Sequence, residues 1–83
     1  MMKVHELKTV QPFFDQVADG SKKFELRKND RDYKWGDILV LREWSNGAQV
    51  YTGSNVCVRV TGVLDQFVGL QQGYCILSIS KPI

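Results

Sequence analysis

The sequence predicts a single α+β domain, a small and partly open β-barrel of about five to six strands with one N-terminal helix. Three observations carry this prediction. One early stretch has the apolar spacing of a helix, later stretches alternate with the period of strands, and a glycine interrupts one strand as a barrel corner requires. We expect one domain over residues 1–83, because a chain of this length cannot support two separate cores.

Composition narrows the class of protein further. The hydrophobic fraction of 43% is typical of a folded domain, and no apolar run approaches the roughly 18–20 residues of a membrane span. The N-terminus lacks the apolar core of a secretory signal. Cys57 and Cys75 lie in apolar alternating runs and are predicted to be buried free thiols. We therefore expect a cytoplasmic protein without membrane contact.

The chain opens with a predicted strand and the helix. Residues 3–8 are predicted as a short strand anchored by Val4 and Leu7. Thr9 is the expected N-cap of the helix, and Gly20 the expected left-handed residue that ends it. Apolar residues at helical spacing form the face that we expect in the core. These residues are Val10, Phe13, Phe14, Val17 and Ala18.

After this helix the period changes to two, which predicts a half-buried strand. Phe24 and Leu26 are expected to point into the core. Lys23, Glu25 and Arg27 are expected to form the charged outer face, and a polar loop follows.

The next predicted strand covers residues 38–44. It begins apolar on both sides, which favours a central position in the sheet. Asn46 and Gly47 suit the positive backbone angles of a tight hairpin turn, so Trp44 and Tyr51 are predicted to pair across it.

Two more stretches complete the predicted barrel. Residues 56–64 alternate, and Gly62 within them predicts a bulge or sharp bend. Residues 67–70 are a connection, and residues 74–79 form the last strand.

The familiar enzyme motifs are missing from the sequence. The single histidine, His5, has no serine or cysteine partner at a recognisable spacing. One histidine and two isolated cysteines do not make the clustered ligands of a zinc site. No phosphate-cradling Gly-rich loop and no dinucleotide fingerprint occurs, so neither a metal nor a cofactor is expected.

The positive charge of the chain is concentrated in one segment. Six of the eleven basic residues fall within 13 positions, with only three acidic residues among them. Such a local cluster favours a binding patch over a general solubility device. The six residues are Lys22, Lys23, Arg27, Lys28, Arg31 and Lys34.

Two interpretations of this segment stay open from composition alone. Glu25 and Arg27 lie two apart on a strand, so their side chains emerge on one face about 7 Å apart, within reach of Lys22. They can form surface salt bridges of about 0–1 kcal/mol each. Alternatively, Lys22 and Arg27 contact phosphate oxygens while Glu25 accepts hydrogen bonds from a base or holds Arg27.

The pattern Gly20-x-Lys22-x-x-Glu25-x-Arg27 resembles the G-x-K-x-x-E-x-R signature of ASCH (activating signal cointegrator homology) domains, which belong to the PUA-like superfamily. Further stretches look like a small ASCH-related family common in bacteria and their phages. These are residues 5–8, 27–31, 36–37 and 73–74. The resemblance implies a PUA-like barrel with a cleft between the first helix and the signature strand, faced by Lys22, Glu25 and Arg27.

The resemblance also implies the ligand class. Related PUA-like domains bind structured RNA or receive a flipped, modified base, so we expect RNA or a nucleotide, with DNA as an alternative. We also expect the protein to be a monomer. The wider set of candidate binding residues adds five members of the basic segment and its flank. These are Lys23, Lys28, Asn29, Arg31 and Trp35.

Two other functions remain as alternatives. One ASCH-like branch hydrolyses acetylated cytidine with a lysine, a threonine and a glutamate; Lys22 matches the lysine, but Glu25 stands where the threonine nucleophile would be. A small amidohydrolase for N4-acylated cytidine would instead use Glu25 as general base, with Lys22 stabilising an oxyanion. The third function is a phage or bacterial protein-interaction module that uses the same face.

Overall fold

A computed structural model describes residues 2–81 as one curled five-stranded sheet with a short helix. Residues 1, 82 and 83 of the predicted domain lie outside this range. The α+β class, the strand number and the N-terminal position of the helix are confirmed. The elements are β1 (Val4–Thr9), α1 (Phe13–Ala18), β2 (Phe24–Lys28), β3 (Ile38–Ser45), β4 (Val50–Leu64) and β5 (Tyr74–Ser80).

The strand order in the sheet is β1-β3-β4-β5-β2. β1 runs parallel to β3, with Val4 opposite Ile38, and the other three pairings are antiparallel. β3 is therefore flanked on both sides, as its apolar sequence predicts. β1 and β2 are the two edge strands, and each has one side without a strand partner.

The core lies between the concave side of the sheet and the helix. β3, β4 and β5, the three strands with a strand on either side, supply most of the fully buried side chains. The helix adds Phe14 and Val17 to this cluster. The fully buried apolar residues of the three strands are Leu39, Leu41, Val58, Val60, Cys75 and Leu77.

The helix is shorter than its apolar spacing predicts. It starts at Phe13, and Thr9 continues β1 by pairing with Glu43 instead of capping the helix. Strand pairing thus takes the predicted N-cap residue, and Gln11 and Pro12 form a turn before the helix. Phe13 is 47% exposed, so its assignment to the core is wrong. No helix within residues 2–81 is long and apolar enough to cross a membrane.

The predicted faces of two further residues are also wrong. In β1, Val4 is exposed while His5, Leu7 and Thr9 are buried, because the period of two cannot place both Val4 and Leu7 inside. Cys57 is exposed on β4, whereas Cys75 is a buried thiol as predicted. Burial raises the pKa of the Cys75 thiol.

The hairpin between β3 and β4 lies where the Asn-Gly pair predicts it. Its turn covers four residues, 46–49, and the positive φ of 57° falls on Gln49 instead of the Asn-Gly pair. Trp44 and Tyr51 face each other across the hairpin with ring centroids 4.9 Å apart, which confirms their predicted pairing. β4 then continues unbroken to Leu64.

Gly62 marks the predicted irregularity in β4. The register with β5 shifts between Val60 and Gly62. A Cβ atom at Gly62 would lie 2.6 Å from the Ser78 hydroxyl oxygen, which itself accepts a hydrogen bond from Thr61. Glycine therefore allows the close approach of β4 and β5 where the sheet curls.

Candidate functional site

The turn after the helix places Lys22 at the entrance of β2. Gly20 has a φ of +85°, a conformation that residues with a side chain rarely adopt. The Lys22 amide then donates to the Gln16 carbonyl at 3.0 Å, which fixes the chain against the last turn of the helix. The predicted glycine terminator is confirmed.

β2 presents its charged face to the interior, which is the reverse of the prediction. Glu25 is only 3% exposed, whereas Phe24 is 48% and Leu26 57% exposed. Arg27 is partly buried on the same side as Glu25. The physical reason is that the Lys8 carbonyl and the Thr9 hydroxyl of β1 lie opposite this face, and Arg27 supplies their hydrogen bonds.

Glu25 is the centre of a three-residue ionic cluster. Its Oε2 accepts a hydrogen bond from Lys22 Nζ at 2.8 Å. Its Oε1 accepts from Arg27 Nε at 3.0 Å and lies 2.9 Å from Arg27 Nη2. One buried carboxylate therefore holds two cations, and the cluster keeps one net positive charge.

Arg27 also connects the two edge strands of the sheet. Its Nη1 donates to the Lys8 carbonyl at 3.1 Å, and its Nη2 donates to the Thr9 hydroxyl at 3.0 Å. Farther along, Arg31 Nη1 donates to the Glu6 carbonyl at 3.1 Å. Arginine side chains thus satisfy carbonyls at the unpaired side of β1 in place of a neighbouring strand. We call this junction between β1 and β2 the seam.

A cleft opens beside the seam, between the start of the helix and β2. Its volume is about 380 Å³, within the usual range for small-molecule pockets. We call it the seam cleft. Its lining residues are Lys8, Thr9, Val10, Phe13, Lys22, Phe24, Glu25, Leu26 and Arg27.

Two half-exposed aromatic rings stand in the wall of this cleft. Lys22 Nζ lies 4.7 Å from the ring centroid of Phe24 and 5.8 Å from that of Phe13. The ammonium is therefore shared between the carboxylate and two ring faces. Both phenylalanines were assigned to the core from the sequence, so their place in the cleft is a feature that sequence reasoning missed.

The structure brings together three of the eight predicted site residues and separates the rest. Lys22, Glu25 and Arg27 share the cleft. The other candidates are exposed and lie outside its lining: Lys23, Lys28, Asn29, Arg31 and Trp35. Arg31 binds the Glu6 carbonyl of the seam, and Trp35 is 73% exposed in the loop before β3.

Tyr33, which lies within the basic segment between Arg31 and Lys34, is buried. Its ring lies edge-on to His5, with centroids 4.8 Å apart. His5 Nε2 and Asp37 Oδ2 are 2.9 Å apart in a buried hydrogen bond. This group lies among β1, the loop before β3 and the start of β3, so it is part of the fold.

Asp37 accepts two further hydrogen bonds, from the amides of Lys3 and Lys34, each at 3.0 Å. Burial alone would raise the pKa of its carboxyl group, but the hydrogen bonds from His5, Lys3 and Lys34 outweigh burial, so that the pKa is lowered. The ionised carboxylate thus ties three parts of the chain together.

The remaining cleft residues come from β1 and the segment that follows it. Thr9 and Val10 line the cleft because β1 ends opposite Arg27. The signal that could have found Thr9 is its position as the last inward residue of a period-two strand. No group of three or more potential metal ligands occurs in the described part of the chain.

Comparison with known proteins identifies the family. Residues 4–79 match the model of a domain of unknown function, DUF3850, and this range includes the seam cleft. The chain is also 48% identical over 65 residues to a protein described as an uncharacterized 12.9 kDa protein in the GpA 3' region of Escherichia phage P2. That alignment covers 78% of this chain and 58% of the relative, so the chain spans less than two thirds of the relative's length. The resemblance to ASCH domains stays a prediction beside these findings. Since the family match covers nearly the whole chain, the protein belongs to the DUF3850 family.

Proposed function

We propose that this domain is a PUA-like, ASCH-related module that binds RNA or a nucleotide in the seam cleft. In this proposal it acts as a cytoplasmic monomer, and DNA is the alternative nucleic acid. The observation that carries the proposal is the combination, in one cleft, of a positively charged ionic cluster and exposed aromatic rings.

The charge of the cleft supports an anionic ligand. Lys22 and Arg27 outnumber the single carboxylate of Glu25, and both cations are partly buried, where their attraction to an anion is screened less than at the surface. Phosphate oxygens suit both donors, because Arg27 carries a planar guanidinium and Lys22 a compact ammonium. Glu25 keeps both cations in place before the ligand arrives.

The aromatic rings support a base as the second part of the ligand. Phe13 and Phe24 stand in the cleft wall at 47% and 48% exposure, although an 83-residue domain has reason to bury large apolar side chains. A stacked base would cover such a ring and release its hydration water.

The same geometry argues against the hydrolase alternative. A general base must direct a free lone pair at the attacking water. Three close contacts from Lys22 and Arg27 already occupy the Glu25 carboxylate, two of them on Oε1 and one on Oε2. Binding is therefore the function that the geometry supports best.

The test measures the affinity of the full chain for a labelled RNA hairpin with a single-stranded loop, by fluorescence anisotropy. We expect Phe13→Ala and Phe24→Ala each to weaken binding roughly 5- to 150-fold, the range for the loss of one stacked base. Both rings are half exposed, so the core should survive their removal. Phe67→Ala is the matched control, because this exposed ring lies outside the cleft, and it should bind like the native chain.

A salt series in the same experiment reports the phosphate contacts. Each contact contributes about 0.7–0.9 to the slope of log affinity against log salt concentration. Lys22→Ala should lower the slope by about 0.7–0.9, the contribution of one phosphate contact. Lys34→Ala should leave the slope unchanged, because Lys34 is exposed and paired with Asp32 at 3.3 Å. Equal affinities and slopes for all these variants would show that the seam cleft is not the binding site.

A further inference from the structure

The hydrogen-bond pattern of β2 shows which main-chain groups face away from the sheet. The Ile79 amide donates to the Lys23 carbonyl at 3.1 Å, and the Asn29 amide donates to the Gly73 carbonyl at 2.8 Å. The register between these two contacts is regular. In an antiparallel pair, hydrogen-bonded positions recur at every second residue, so Glu25 and Arg27 also bond to β5. The amides and carbonyls of Phe24, Leu26 and Lys28 therefore point to the unpaired side of β2.

That unpaired side borders the seam cleft. Lys22 Nζ contacts the Phe24 carbonyl at 2.7 Å and Glu25 Oε2 at 2.8 Å at the same time. The main-chain edge at Phe24 thus lies next to the ionic cluster. Leu26, two residues farther along the same edge, lines the cleft although its side chain belongs to the exposed face.

Two of the three outward carbonyls already have partners. Lys22 occupies the Phe24 carbonyl, and the Asp30 amide donates to the Lys28 carbonyl at 2.9 Å. Leu26 is left as the one residue of β2, within the described chain, whose amide and carbonyl both face the cleft without a protein partner. A ligand that displaces water from this amide and carbonyl has to supply their hydrogen bonds itself.

We propose that the Leu26 main chain recognises the hydrogen-bonding edge of an unpaired nucleobase in the seam cleft. This inference rests on the proposed function and narrows it to nucleotides whose bases are not paired. One donor and one acceptor side by side match the Watson–Crick edge of a single base, which always carries both kinds of group next to each other. A duplex hides that edge, so single strands and loops become the substrate class.

The same edge is too short for an added peptide strand. Strand addition uses a series of main-chain hydrogen bonds along an edge. Here Lys22 occupies the Phe24 carbonyl and the Asp30 amide occupies the Lys28 carbonyl. The edge therefore offers, within residues 2–81, one residue, Leu26, whose amide and carbonyl are both free. A base needs no more than one pair, and Phe24 stands beside it as a stacking surface.

The test compares unmodified single-stranded oligonucleotides with versions whose base has lost its donor by methylation and stays uncharged. The pairs are oligouridine with N3-methyluridine, oligoadenosine with N6,N6-dimethyladenosine, and oligocytidine with N4,N4-dimethylcytidine. The full chain should bind at least one unmodified strand about 10-fold more tightly than its methylated version and than its duplex.

Two variants assign this preference to the main chain. Leu26→Pro removes the outward amide at an edge position where proline is tolerated, so the acceptor of the base loses its partner, and binding of the preferred unmodified strand should weaken about 10-fold. Leu26→Ala keeps the amide and should retain the preference. If Leu26→Pro does not fold, the methylated strands alone decide the result.

The outcomes separate the two proposals. RNA binding with equal affinity for unmodified, methylated and duplex ligands would overturn the inference and leave the proposed function standing. Loss of the preference in Leu26→Ala would assign it to the side chain and overturn the inference as well. No binding of any RNA would overturn the inference together with the proposed function.

Discussion

Glu25 determines how the seam cleft is built at the scale of single residues. A carboxylate that is 3% exposed would lose several kcal/mol of hydration, and Lys22 and Arg27 offset this loss with close contacts. In return the carboxylate orients both cations toward the cleft. Glu25 and Arg27 are therefore part of the interior and of the proposed binding surface at once.

Arg27→Lys tests whether the guanidinium holds the seam together. Lysine keeps the charge beside Glu25, but one ammonium cannot also reach the Lys8 carbonyl and the Thr9 hydroxyl. We expect the free energy of unfolding to fall by about 2 kcal/mol in urea denaturation. Arg42→Lys is the control, since Arg42 makes a surface ion pair at 3.6 Å and should change stability by less than about 0.5 kcal/mol. Equal effects of the two substitutions would contradict the role given to Arg27.

At the scale of elements, Asp37 fixes the start of β3 to the chain around it. It accepts hydrogen bonds from Lys3 before β1, from His5 within β1, and from Lys34 in the loop before β3, while Tyr33 covers His5. The parallel pairing of β1 with β3 thus begins at a buried carboxylate. Its ionised form is required, because each bond has the carboxylate as acceptor.

The lowered pKa of Asp37 predicts a dependence of stability on pH. Because the pKa is lower in the folded chain than in the unfolded one, the stabilisation is complete above the unfolded value of about 4 and is lost as pH falls through the folded value. Asp37→Asn should lower the free energy of unfolding by about 1–3 kcal/mol near neutral pH and flatten its decline in acid.

The control for this prediction is Asp32→Asn, which neutralises an exposed carboxylate and keeps a residue that tolerates the positive φ of 49°. Denaturation series between about pH 7 and pH 2 measure both variants. An acid decline in Asp37→Asn as steep as in Asp32→Asn would show that Asp37 does not carry this part of the pH dependence.

The sequence predicts the elements better than their faces. The helix before Gly20, the central β3, the hairpin pair of Trp44 with Tyr51, and the irregularity at Gly62 follow from local patterns, and the structure confirms them. The period of two in β2 defines two faces but does not say which is inside. That choice depends on Arg27 reaching Lys8 and Thr9, which are 19 and 18 positions away, and no local pattern contains this contact.

The same limit applies to the candidate site. Lys22, Glu25 and Arg27 could be selected because Glu25 and Arg27 share one face of a strand and Lys22 lies just before it. Phe13 and Phe24 could not, since apolar residues at regular spacing predict core until the end of β1 and the shortened helix are known. The burial of Tyr33 could not be predicted either, because its partner His5 lies 28 positions earlier.

At the scale of the whole molecule, the sheet curls so far that the Arg27 side chain of one edge strand reaches the other edge strand, although the two strands do not pair. Arg27 and Arg31 connect the edges along one part of the seam, and the cleft remains where the helix begins. A ligand in the cleft would contact both edges. We therefore expect binding to be localised at the seam, away from the exposed loop that carries Arg31 and Trp35.

Mapping of amide chemical shifts by NMR tests this central claim most directly. The full chain, labelled with ¹⁵N, is titrated with a single-stranded RNA. The account predicts that the largest shifts fall on residues 8–13 and 22–27, the two sides of the seam cleft. The amide shifts of the exposed residues Phe67 and Cys57, which lie outside the cleft, should stay unchanged. Shifts confined to the loop of residues 29–35, or no shifts at saturating RNA, would contradict it.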